Sequence, residues 1–143
     1  MTASYAPMKD LARRMLAINA ARADEADARV DAAVRVCGQL QVPLVRFAGI
    51  AGFSSLLSRA LALAKAEAPS LRVVSARPDG SLQGFDAIEH DRDAEEFDKA
   101  RVALVAHLLA LLATFIGESL TLRLARDAYP GALTDQTDLT EEA

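Results

Sequence analysis

The sequence predicts a mainly α fold, a small helical bundle with long N- and C-terminal helices and one inserted β-hairpin at about residues 71–85. Two observations carry this. The 143 residues include 30 Ala and 20 Leu against 7 Gly and 5 Pro, a composition of helix formers and not of a turn-rich sandwich. Apolar residues also recur at spacings of three and four along most of the chain, the period of a buried helix face. At 52% hydrophobic and 25% charged, the chain can bury a substantial core.

The first helix opens at Pro7, which suits a first turn, and carries Leu11, Met15, Ile18 and Arg22 on one stripe. A second stripe, Ala26, Val30, Ala33, Cys37 and Leu40, is out of phase with the first by one residue. This permits one long helix over residues 8–41 with a stutter or two helices broken near residues 19–27, and the pattern favours one. Glu25 with Arg29 and Asp31 with Arg35 are acid-first i,i+4 pairs that suit a solvated face. Gly38 and Pro43 are expected to end the helix. Phe53, Leu56, Leu57, Ala60, Leu61 and Ala64 then mark another helix, closed by Pro69. Val73 and Val74, the turn Pro78-Asp79-Gly80 and a second short extended run make the hairpin.

Seven acids between Asp86 and Asp98 precede the most hydrophobic helix and suit its positive dipole end. That helix is expected over about residues 94–129, with Gly117 as a kink and Pro130-Gly131 as its stop. On a helical wheel Ala103, His107, Ala110, Thr114, Gly117, Glu118 and Thr121 form a small and polar stripe. Leu104, Val105, Leu108, Leu109, Leu112, Phe115, Ile116 and Leu122 fill the opposite, core-facing half. A helix near 35 residues spans about 50 Å, more than a compact chain of this size covers end to end. A second copy of the chain, paired across a two-fold axis, is the simplest cover. No repeat or linker divides residues 1–133, which read as one domain. Residues 134–143 carry four acids and little to bury, and read as a disordered acidic tail.

Charge and cysteine content narrow the chemistry. A net charge of −4 argues against a nucleic-acid partner, which calls for a basic face. Residues 1–69 hold 9 basic and 6 acidic side chains, and residues 70–143 hold 7 and 14, so the two halves can attract one another. One cysteine excludes a disulfide framework and a four-thiolate zinc site. The N-terminus has no secretory pattern, and the uncharged run from Val102 to Gly117 falls short of the about 20 residues of a spanning helix. A cytoplasmic protein without a membrane span is expected.

Four polar residues on the last helix, His107, Thr114, Glu118 and Thr121, form the first candidate site, although His107 and Glu118 lie about three turns apart and make no dyad. The second is an anion site in which Gly49, Gly52 and Ser54 offer backbone N–H groups at a helix start, completed by Arg46 and Arg59. Without a preceding strand or a following GK[ST], a tight apolar helix junction accounts for the same residues. Asp91, Asp93 and Glu95 alternate as in a calcium loop, but Glu96 and Val102 stand where that loop has Gly and Glu. Neither a metal nor a cofactor is expected. Cys37 and the serines have no activating neighbour placed by sequence.

His107-Leu108-Leu109 with Ala113 and Gly117 resembles the segment around the phosphorylated histidine of histidine phosphotransfer domains. The resemblance covers about eleven residues, and Ala110 and Leu111 replace the Lys and Gly usual there, which removes the cation that would hold the phosphate. The expected function is therefore a non-catalytic helical interaction module, an adaptor, regulator or assembly subunit. It would act through self-association as a homodimer or by binding another protein. The alternative is a histidine phosphotransfer or other signalling protein using His107.

Overall fold

The computed structural model describes residues 5–22, 32–84 and 94–133. Four helices are present among them: α1 (Tyr5–Arg22), α2 (Ala32–Glu67), α3 (Ala94–Ile116) and α4 (Glu118–Ala128). Short 3₁₀ turns at Pro69–Val73 and Pro130–Leu133 follow α2 and α4, and a two-stranded antiparallel hairpin, β1 (Ser75–Ala76) and β2 (Leu82–Gln83), lies between α2 and α3. The mainly α bundle with an inserted hairpin is thus the observed fold. The acidic tail, the Glu25–Arg29 pair, Asp31, Asp91 and Asp93 lie outside the described residues.

The stretch over residues 8–41 is not one straight helix. In such a helix Asn19 and Arg35 would stand about 24 Å apart, yet the Arg35 Nε donates to Asn19 Oδ1 at 3.3 Å. Asn19 is buried, and the buried Tyr129 hydroxyl donates to the same oxygen at 3.0 Å, so one amide ties α1 to α2 and to the end of α4. A buried amide needs such partners.

α2 runs through Gly38 and Pro43, the residues expected to stop it, and breaks instead at Gly49, whose φ of 77° and ψ of 170° leave the helical region. A proline interior to a helix costs about 3 kcal/mol. Burial of Val36, Cys37, Leu40 and Leu44 on the face ahead of the break supplies the offset, because each fully buried aliphatic side chain contributes about 1.5–3 kcal/mol. Phe53, Leu57, Ala60, Leu61 and Ala64 are buried after the break, as their spacing predicts. The hairpin turn packs on α2 on both sides of the break. Gln41 Nε2 donates to Asp79 O at 3.2 Å, and the buried Gly80 lies against the side chains of Gln41 and Phe53. The turn closes through Gly80 N–H to Arg77 O at 2.9 Å and Ser81 N–H to Asp79 Oδ1 at 2.9 Å. Val73 belongs to a 3₁₀ turn and not to a strand, so the hairpin is shorter than its predicted span.

α3 is the central helix. Four consecutive residues, Ala103 to Ala106, are buried, with Leu104, Leu108, Leu109 and Leu112 fully so, because α1 and α2 both pack on it. The small stripe therefore accepts a neighbouring helix at Ala103 instead of facing water. The expected 35-residue helix is broken at Gly117 (φ 96°, ψ 151°), and α4 is a separate helix that buries Thr121, Leu124 and Ala125. The length argument for a dimer falls with that break. Phe115, expected in the core, is 58% exposed, since it lies in the last turn of α3, beside the break.

Gly84 and Gly117 allow a direct comparison, since both have positive φ. A Cβ at Gly117 meets nothing within 4 Å, whereas at Gly84 it falls 2.3 Å from the Val73 carbonyl oxygen. Gly117→Ala is expected to cost about 1–3 kcal/mol, because its extended positive-φ conformation is essentially reserved for glycine. Gly84→Ala is expected to cost more, because backbone must move, and urea denaturation of the two variants measures the difference.

Candidate functional site

The described structure brings polar side chains from three helices together at one place. Tyr5 in the first turn of α1 donates its hydroxyl to Glu67 Oε1 at 2.5 Å. Lys9, one turn later, approaches Glu67 Oε2 at 3.4 Å. His107, at the middle of α3, lies with Nε2 3.0 Å from Glu67 Oε1, and its ring stacks on Tyr5 with centroids 4.5 Å apart and planes at 27°. Lys9 Nζ sits 5.9 Å from the Tyr5 ring centroid, within range of a cation–π attraction.

The helix ends explain the meeting. Glu67 is the last residue of α2, Tyr5 and Lys9 share one face of α1 by their i,i+4 spacing, and α1 and α2 both pack against α3. Burial acts to raise the Glu67 carboxyl, but the bonds from Tyr5 and His107 and the charge of Lys9 outweigh it and hold the group below its usual 4.5. Tyr5 is driven the other way, well above its ordinary 10.0, by burial, by the bond to Glu67 and by the carboxylate charge, with Arg13 opposing. Glu67 is thus an ionised acceptor and Tyr5 a neutral donor. An ionised carboxylate only accepts, so His107 Nε2 carries a proton toward it.

Chemically this is a carboxylate with three of its about four acceptor sites engaged and a side chain that stays 28% exposed. Glu67 receives three donors, and neither of two grooves at the α1–α3 seam, of about 550 and 420 Å³, is lined by Tyr5, Glu67 or His107. Lys9 lines the larger one with Arg13, Lys99, Asp98 and Glu95 among others, a mixture of signs that selects no ligand by charge.

The other residues of the polar stripe do not join His107. Thr114 is exposed and donates to the Ala110 carbonyl at 3.2 Å, Thr121 is buried and donates to the Gly117 carbonyl at 2.9 Å, and Glu118 is exposed on α4 beyond the break. These i−4 bonds satisfy the hydroxyls locally. In the proposed anion site Gly49 is the break in α2 and Gly52 and Ser54 are half-buried, while Arg46 and Arg59 are exposed on opposite sides of the break. That geometry is a helix junction. Among the described residues no group of three or more His, Cys, Asp or Glu is placed to hold a metal ion. Cys37 is buried.

Partners from other helices were invisible to spacing along one helix. The 40 residues between His107 and Glu67 carry no periodic relation, although a lone acid closing a long apolar helix was a signal. The chain matches no protein-family model, no curated protein and no solved structure.

Among the described residues two helical stretches, Ala32–Glu67 and Asp98–Ile116, are by length and composition apolar enough to cross a membrane, with mean hydropathy of 1.5 and 1.7. The first contains the Gly49 break and the second is the core helix.

Glu67 gives a prediction with a defined sign. A carboxyl depressed on folding contributes stability above its unfolded pKa, and that contribution is lost as pH falls through the folded value. Glu67→Gln is expected to lower stability at neutral pH by about 1–3 kcal/mol, the range for bonds to a charged group. It should also flatten the loss of stability below about pH 4.5, read from urea midpoints at neutral and acid pH. Tyr5→Phe should lose about 1–2 kcal/mol and couple to Glu67→Gln in a double-mutant cycle.

Proposed function

We propose that this chain is a non-catalytic, cytoplasmic helical interaction module, an adaptor, regulator or assembly subunit that self-associates or binds a partner through the bend of α2. The observation that carries this reading is the exposure of large apolar side chains on either side of Gly49. Val42 is 66%, Phe47 58% and Ile50 42% exposed, in a stretch where the only charged residue from Val42 to Ala51 is Arg46. Clustered apolar exposure marks an interaction surface more often than scattered exposure does.

The placement of His107 favours this reading over phosphotransfer. Its Nε2 is occupied by Glu67, and a carboxylate at that distance repels an incoming phosphoryl group. With Glu67 ionised and bonded to all three neighbours, neither described groove brings a substrate beside the trio.

Mild crosslinking in the native cells, followed by capture and by sedimentation velocity of the purified chain, tests the reading. Phe47→Ser and Ile50→Ser are expected to weaken the association by about tenfold or more each, the scale of a contact hot spot, while His107→Ala leaves it intact. Acid-labile phosphate on His107, or loss of association in His107→Ala alone, would overturn it.

A further inference from the structure

We draw no further inference here: the strongest candidate, the groove of about 420 Å³ at the α1–α3 seam, lined by the apolar side chains of Leu16, Ala20 and Val102 and the mixed charges of Arg13, Asp98 and Arg101, carries nothing, because nothing in the structure shows what covers it.

Discussion

The break at Gly49 is the constraint on which the remaining architecture depends. A straight helix of 36 residues would extend about 54 Å, far beyond what α1 and α3 can cover. With the break, Leu40 and Leu44 before it and Phe53 and Leu57 after it all enter one core. A hairpin of two residues per strand, too short to persist alone in water, is held by Gln41 and Phe53, one on each side of the break. The same geometry leaves Val42, Phe47 and Ile50 outside. Phe47 stands three residues after Leu44 on the stripe that is buried ahead of the break, so its exposure marks where that stripe leaves the core.

Glu67 is the second fixed point, at the far end of the same helix. A carboxylate at a helix C-terminus is unfavourable, since it meets the negative end of the dipole. Here that cost is offset by donors from α1 and α3, which lower Glu67 against its burial, while burial first and the bond to Glu67 second raise Tyr5. The cluster holds α1 against the α2–α3 pair at one end, as Asn19 with Arg35 and Tyr129 does at the other. Both are polar ties between helices whose contacts are otherwise apolar, and hydrogen bonds of fixed geometry select one helix register where sliding apolar surfaces would not.

Much of this was legible from residues alone, and the failures have identifiable physics. The helical class, the core stripe from Phe53 to Ala64 and the turn at Pro78-Asp79-Gly80 follow from period and turn chemistry, which are local. Helix ends were read less well. Gly38 and Pro43 are local stop signals overridden by burial on the Val36–Leu44 face, while Gly49, read as part of an anion loop or a tight junction, is the actual break. Gly117 was read as a kink and is a full interruption. Its effect on Phe115 could not be seen from a wheel that assumed one continuous helix. The candidate stripe failed for the same reason. Of His107, Thr114, Glu118 and Thr121, only His107 belongs to the cluster, and its true neighbours Tyr5, Lys9 and Glu67 come from elements whose mutual placement no periodicity encodes.

The separation of these two regions bears on how the chain can work. The Tyr5–Glu67–His107 cluster is internally satisfied, and its groups are committed to one another. Recruiting any of them for chemistry would first require breaking bonds to an ionised, partly buried carboxylate, each costing on the order of 1.5–3 kcal/mol. The α2 bend carries no such commitment. Val42, Phe47 and Ile50 there are exposed, and the nearest acid on the packed hairpin turn is Asp79. No described hydrogen bond or ion pair joins the cluster to Val42, Phe47 or Ile50, so substitutions at those three leave its bonds in place.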